Sequence, residues 1–323
     1  MIPNFTYVRP KTLAEAVGRL TAPGARAHAG GTDLLGCLRD GVFAADTLVS
    51  LAGLDELRGI RRPMDGGMAI GALTTLTEVA GNPEVVARYP VLAQGAAAAA
   101  SPQLRSQGTL GGNLCQRPRC WYFRGDFHCA RKGGEMCYAA EGENQFHCVF
   151  GGEVCFIVHP SDTAPALVAL GATVRLTGPG GDRSVPAEKF FVGPATDVTR
   201  ETVVGHGEVL TEVVLPPPVA GARSTYRKVR ARGSWDFALA GAAVVLGLSD
   251  GRVQHARIVL SGAAPVPWRV PDAERAIVGQ RLDARSAARA AAAAVAGASP
   301  LSGNAYKVPL LRGAVEEALL ALA

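Results

Sequence analysis

The chain has 323 residues, 48% of them apolar and 19% charged, with a formal net charge of +5. That composition excludes intrinsic disorder, and so small a charge, spread along the chain, leaves no footprint for nucleic acid. No apolar run reaches the roughly 18 residues of a membrane span, the longest being residues 237–248, which reads as a buried strand.

Residues 1–12 lack the apolar stretch of a secretory signal. A cytoplasmic chain is expected, or a periplasmic one if it is exported in a complex on a partner's signal. At roughly 150 residues per domain the length predicts two domains.

Thr12 can cap a helix whose apolar positions Leu13, Ala16, Val17 and Leu20 have helical spacing. Residues 26–29 read as a short strand running into Gly30-Gly31, and residues 48–51 and 68–70 as further strands. Residues 91–100 form an alanine-rich helix ended by Ser101-Pro102, and residues 106–114 a Gly-rich turn region. Ser161-Asp162 can cap a helix over 163–170. Residues 173–176 read as a strand before the turn Gly178-Pro179-Gly180-Gly181. Pro216-Pro217-Pro218 marks a domain boundary. Beyond it, residues 224–229, 238–248 and 252–260 read as strands, with Asp250-Gly251 as a hairpin turn. Helices follow over 283–296 and 308–322. The second part is therefore α+β.

Six of the seven cysteines, Cys115, Cys120, Cys129, Cys137, Cys148 and Cys155, fall within 41 residues, where an even spread would put about one. A disulfide framework suits small secreted domains. A structural zinc site usually shows cysteine pairs two to four residues apart, and none is present. Four thiolates wrapped around an iron–sulfur cluster tolerate the long spacings. Arg117, Arg119, Arg124, Arg131 and Lys132 lie in the same stretch. They would stabilise a negatively charged cluster, or form a solvated basic loop. Trp121, Tyr122 and Phe123 would shield a cluster or pin the loop to the core. His128 and His147 are further ligands on chemistry alone.

Two Gly-rich turns stand apart: Ala29-Gly30-Gly31-Thr32-Asp33-Leu34 and Thr109-Leu110-Gly111-Gly112-Asn113. Glycine lets backbone N–H groups approach an anion, and a threonine hydroxyl adds a donor. Neither is a Rossmann fingerprint or a P-loop. Together they could grip the two ends of one diphosphate, or each could be a turn only.

The order of these two turns, then Ser161-Asp162-Thr163-Ala164-Pro165-Ala166, resembles the FAD-binding (medium) subunit of the molybdenum hydroxylases, the xanthine dehydrogenase family. Phe5, Tyr7 and Pro10 near the start and Tyr226-Arg227-Lys228-Val229-Arg230 later agree, so the resemblance covers nearly the whole chain. The cysteines occupy an insertion of about 40 residues, at about 114–158. It resembles the one in the flavin subunits of periplasmic-type aldehyde oxidoreductase and of 4-hydroxybenzoyl-CoA reductase, both of which carry a [4Fe-4S] cluster there. Gln116-Arg117 with Arg119-Cys120, and Glu141-Gly142-Glu143-Asn144, stand closer to the aldehyde oxidoreductase.

The resemblance implies an α+β fold. A two-part FAD-binding domain of the PCMH/vanillyl-alcohol-oxidase type would cover 1–218, with lobes 1–58 and 59–218. A domain of the CO dehydrogenase flavoprotein C-terminal type would cover 219–323. It implies FAD, its pyrophosphate on Ala29, Gly30, Gly31, Thr32, Asp33 and Leu34. Thr109, Gly111, Gly112 and Asn113 would close over the flavin and ribityl side. Asp162 would accept from FAD hydroxyls, or act only as a helix cap. Leu210 falls in the same site, and Lys228 near the isoalloxazine, unless it is a solvated charge on an edge strand.

The cluster ligands implied are Cys120, Cys129, Cys137 and Cys155, with Cys115 and Cys148 as packing residues. No residue is assigned a chemical step. The implied role is an oxidoreductase subunit passing electrons from [2Fe-2S] clusters through FAD to an external acceptor. Its partners would be a molybdenum-cofactor large subunit and a [2Fe-2S] small subunit in a heterotrimer. Two other roles are a flavin subunit of a 4-hydroxybenzoyl-CoA reductase-like enzyme, and a zinc-stapled nucleotide-binding protein without redox activity.

Overall fold

Three sheets organise residues 2–323, the part of the chain that the computed structural model describes. The first holds β1 (Thr6–Val8), β2 (Ala25–His28) and β3 (Thr47–Ser50), all parallel, in the order β1-β3-β2. Helix Leu13–Leu20 links β1 to β2. The Thr12 hydroxyl accepts from the Glu15 N–H at 3.2 Å, and Ala16, Val17 and Leu20 are buried, as the spacing predicts. A second helix, Leu34–Arg39, follows the first Gly turn directly.

The second sheet is antiparallel and has five strands: β4 (Ile60–Arg61), β5 (Met68–Gly71), β6 (Thr173–Gly178), β7 (Gly181–Pro186) and β8 (Val209–Leu215). Their order is β4-β5-β8-β6-β7. The helical region before the insertion is a series of short helices, Leu76–Gly81, Pro83–Arg88, Pro90–Ala98 and Pro102–Gln107. Three of them begin on proline, which is tolerated in a first turn but cannot continue a preceding helix. The helix expected over 91–100 is thus Pro90–Ala98. The predicted turn region 106–114 is instead the end of one helix and all of another, Leu110–Leu114.

The third sheet is antiparallel, in the order β12-β11-β10-β9, from β9 (Ala222–Val229), β10 (Ala240–Ser249), β11 (Arg252–Ser261) and β12 (Trp268–Arg269). Asp250 and Gly251 both have left-handed backbone (φ 50° and 72°), the geometry a two-residue hairpin turn needs. β10 is apolar throughout because both of its faces are covered. Ala242, Val244 and Leu246 pack with Leu311 and Val315 of the C-terminal helices. Ala243 and Val245 face the core of the second lobe with Leu167 and Val168. Each fully buried valine or leucine contributes roughly 1.5–3 kcal/mol, so this sheet ties the two parts of the chain together.

The insertion lies between helices Leu110–Leu114 and Thr163–Leu170. Within it are one short helix, Trp121–Arg124, and one 3₁₀ turn, Ala130–Lys132. Its second half is docked on the C-terminal region. Phe150 stacks on Trp268 with ring centroids 5.4 Å apart, and the Val149 N–H donates to the Ala263 carbonyl at 2.8 Å. Asn304 Nδ2 and the buried Lys307 Nζ both donate to the His147 carbonyl at 3.0 Å.

Candidate functional site

A cavity of about 850 Å³ opens between the two lobes and the loop that follows β9. Of the residues predicted to hold a cofactor, Ala29, Gly30, Gly31, Thr32, Asp33, Leu34, Thr109, Gly111, Gly112, Asn113, Asp162 and Leu210 all line it. Lys228 does not.

The first Gly turn presents backbone to this space. Gly31 has φ 72°, a conformation that favours glycine. A Cβ on Gly30 would overlap the carbonyl of Gln107, so glycine lets the two lobes approach here. Among the described residues, the N–H groups of Gly30, Gly31 and Thr32 have no hydrogen-bond partner. Unpaired N–H groups converging on a cavity suit an anionic group such as a diphosphate. Asp33 is already engaged within the wall. Its carboxylate accepts from the Arg117 N–H at 2.7 Å and from Arg124 Nη2 at 2.7 Å, and it pairs with Arg119. It thereby fastens the turn to the start of the insertion.

The second Gly sequence works differently. Thr109 is the cap of helix Leu110–Leu114, its hydroxyl accepting from the Gly112 N–H at 3.1 Å. The Leu110 and Gly111 N–H groups donate to Thr74 and Ala72 carbonyls at 2.9 Å. A Cβ on Gly111 would lie 2.9 Å from that of Ala72. Asn113 Oδ1 accepts from the Ser161 and Thr163 hydroxyls at 2.6 and 2.7 Å. Close packing explains Gly111, and the N–H groups of residues 110–113 already have partners, so this backbone supplies cavity wall.

Asp162 heads the helix Thr163–Leu170 without capping it; the Ser161 hydroxyl accepts from the Ala164 N–H at 3.0 Å instead. The Asp162 carboxylate accepts from Tyr226 Oη at 2.7 Å and Lys228 Nζ at 2.8 Å. Burial pushes this carboxyl above its usual range, and Lys228 pulls it back. β9 is an edge strand, yet the Lys228 side chain is only 4% exposed. The helix Pro90–Ala98 lies over it and its Ala98 carbonyl accepts from Nζ at 3.1 Å. Lys228 is therefore not a solvated charge; it holds Asp162 from behind the cavity wall.

A second, much smaller void lies within the insertion. Cys120, Cys129, Cys137 and Cys155 all line it, together with Tyr122, Arg131 and His147. Cys115 instead faces the large cavity, and Cys148 is buried elsewhere. The Cys137 thiol and the Arg131 guanidinium pull the Cys155 thiol down to about 6, while burial pushes Cys120 up to about 11. His147 Nε2 is 3.2 Å from Cys120 Sγ, and burial lowers its ring to about 4. Among the described residues, no three His, Cys, Asp or Glu side chains converge tightly enough to hold one metal ion. The donor set is thus four thiols spaced around a void.

Tyr122 covers this void, stacked 5.9 Å from Tyr138 and edge-on to Phe127 at 5.0 Å. Phe123 is buried beside it, so this aromatic run pins the segment to the core and walls the void. The basic residues do not form a solvated loop either. Arg119 and Arg124 pair with Asp33, and the guanidinium groups of Arg117 and the buried Arg131 pair with Glu201 at 2.7 and 2.6 Å.

Residues 3–218 match the FAD binding domain in molybdopterin dehydrogenase, and residues 224–322 the CO dehydrogenase flavoprotein C-terminal domain. The chain belongs to the FAD-binding subunits of the molybdopterin dehydrogenases. This flavin subunit is 39% identical over 275 residues to the aldehyde oxidoreductase FAD-binding subunit PaoB of Escherichia coli, covering 84% of this chain and 85% of that one. It is 32% identical to the carbon monoxide dehydrogenase medium chain of Hydrogenophaga pseudoflava, covering 98% and 96%. The solved structure of that dehydrogenase superposes with a TM-score of 0.80 at 32% identity over 100% of this chain and 98% of the other. Quinoline 2-oxidoreductase from Pseudomonas putida 86 gives 0.79 at 26% identity, over 100% and 98%.

The flavin subunit also has site residues that its sequence did not mark. Arg232, Trp235 and Phe237 of the loop after β9 line the large cavity. Trp235 is 62% exposed with left-handed backbone (φ 53°), a strained arrangement for an aromatic residue. Two aromatics beside glycine at a strand end were the available signal. Glu201, buried between Arg117 and Arg131, gave none.

Proposed function

We propose that this chain is the FAD and [4Fe-4S] subunit of a molybdenum-containing aldehyde oxidoreductase. In this reading it passes electrons from the [2Fe-2S] clusters of a small subunit to an external acceptor, and a molybdenum-cofactor large subunit oxidises the aldehyde. The observation that carries the reading is the gathering of Cys120, Cys129, Cys137 and Cys155, four of six clustered cysteines, around one void beside the FAD-domain cavity. The 39% identity to an aldehyde oxidoreductase subunit supports the substrate class.

Bound FAD supplies a centre that takes up electrons singly and releases them in pairs, and a four-thiolate cluster supplies a one-electron centre. The N–H groups of Gly30, Gly31 and Thr32 hold the pyrophosphate. Thr109, Gly111, Gly112, Asn113 and Leu210 wall the cavity. Asp162, its charge fixed by Lys228 and Tyr226, accepts from the cofactor's hydroxyls. Asp33 holds the pyrophosphate turn against the insertion through Arg119 and Arg124. The four cysteines ligate the cluster, and Tyr122 with Tyr138 keeps water from it.

The test is chemical analysis and anaerobic reduction of the chain purified with its partner subunits. About four iron and four sulfide beyond the small subunit's clusters, with one FAD, are expected. An aldehyde should bleach the flavin in a single turnover. Absence of extra iron and sulfide overturns the cluster. Failure of any aldehyde to bleach the flavin overturns the substrate class. Steady aldehyde turnover by this chain alone overturns the division of labour.

A further inference from the structure

Arg131, in the 3₁₀ turn of the insertion, is 3% exposed. One of its nitrogens, Nη1, donates to Glu201 Oε1 at 2.6 Å and to the Arg200 carbonyl at 3.2 Å. Its Nε and Nη2 are buried and have no hydrogen-bond partner. The same side chain lines the cysteine void together with Cys120, Cys129, Cys137 and Cys155. Glu201 also carries Arg117, Nε to Oε2 at 2.7 Å, so two guanidinium groups share one carboxylate and leave a net positive charge. Pinning the segment to Glu201 needs Nη1 alone. It leaves two buried donors unexplained, and buried donors without acceptors are rare.

We propose that Arg131 sets the reduction potential of the cluster held by Cys120, Cys129, Cys137 and Cys155, its free Nε and Nη2 donating to cluster or thiolate sulfur. The inference rests on the cluster reading above. Hydrogen bonds to sulfur and nearby positive charge both favour the reduced, more negative form of a cluster. Glu201 opposes that effect while holding the guanidinium in place.

The test is a potentiometric titration of the purified complex, followed by electron paramagnetic resonance at temperatures that separate this cluster from the [2Fe-2S] centres. Arg131→Met keeps an apolar stem of similar length and removes the donors and the charge. It should retain iron and flavin, and shift the cluster's one-electron couple at least about tenfold towards the oxidised form, about 59 mV more negative. Arg131→Lys keeps the charge and should fall between Arg131→Met and wild type. Glu201→Gln removes the opposing charge and should shift the couple the other way. An unchanged potential in Arg131→Met, with cluster and flavin intact, overturns the proposal alone. If Arg131→Met does not fold, Glu201→Gln decides: a more positive couple upholds the proposal and an unchanged or more negative one overturns it. A wild-type complex with full flavin and no extra iron or sulfide overturns the cluster reading, and this one with it.

Discussion

The large cavity and the cysteine void are neighbours in sequence, with Cys115 on the one and Cys120 on the other, yet they are built by opposite means. Regular elements of two lobes frame the cavity, and its first glycine turn presents unpaired backbone N–H groups. The void is framed mostly by irregular chain, and four side-chain sulfurs line it. A backbone site survives most deletions and fails when bulk is added. A side-chain site fails when a single atom is exchanged. The two are joined by one buried carboxylate, Glu201, which reaches Arg117 on the cavity and Arg131 on the void.

The largest effect should come from exchanging sulfur for oxygen. Cys120→Ser, Cys129→Ser, Cys137→Ser and Cys155→Ser should each lose the [4Fe-4S] iron or make it labile, with flavin content unchanged. Cys115→Ser should keep both. Cys148→Ser should keep its iron but lose about 1–3 kcal/mol of stability, because a hydroxyl enters an apolar site. Iron and flavin analysis of the six variants checks this. If Cys148→Ser empties the site while one of the four keeps it, the ligand set is wrong.

The converse test adds bulk to the cavity. In Gly31→Val the new Cβ would lie 2.8 Å from His28 Nε2 and 3.2 Å from Leu35 Cδ1, on left-handed backbone that a β-branched residue resists. Flavin content should fall by about tenfold or more, with iron retained. Gly53→Ala is the control, since nothing lies within 4 Å of a Cβ there. Full flavin in a folded Gly31→Val chain would place the pyrophosphate elsewhere.

The regular frame was the more legible of the two. Thr12 caps its helix, and Asp250-Gly251 turns its hairpin, because each acts through local geometry that a short sequence contains. The Gly30–Thr32 turn was legible for the same reason. The helix Leu110–Leu114 was not, since two glycines argue against a helix until Ala72 is seen packed on Gly111. Burial of Lys228 depends on a helix some 130 residues earlier in the chain. In the insertion the cysteine count announced a site, but local pattern did not distinguish ligand from packing cysteines. The partners of Arg131 come from residues 200 and 201, beyond any local reading.

Lys228 tests the cavity's hidden support. In Lys228→Met, Asp162 keeps its burial and loses its counter-charge, which typically costs 3–5 kcal/mol. The sign with pH follows from the carboxyl's position. Its folded value already lies above 3.8, and removing Lys228 raises it further. The folded chain then holds a proton that the unfolded chain has released, so stability falls as pH rises from 3.8 through the raised value. The deficit of Lys228→Met should therefore be largest near neutral pH and shrink on acidification. Denaturant melts of variant and wild type at matched pH values measure it. A deficit independent of pH would mean that Lys228 acts through packing alone.

The smallest expected effect separates the two glycine sequences. Thr109→Ala removes the oxygen that accepts from Gly112, a helix cap worth about 1 kcal/mol. In a chain of this size that corresponds to a melting shift of roughly 2–4 °C. Thr109→Ser, which keeps the oxygen, should recover most of it. Flavin affinity should change little in either variant, since the second sequence provides wall and the N–H groups of residues 110–113 already have partners. The first turn, whose N–H groups are free, has no such reserve. Thermal melts alongside flavin titration of the deflavinated chain distinguish the cases. If Thr109→Ala loses flavin as completely as Gly31→Val, with Thr109→Ser restoring it, the hydroxyl touches the cofactor directly. Both glycine sequences would then be binding elements, and the contrast between them would lie only in which atom, backbone nitrogen or side-chain oxygen, makes the contact.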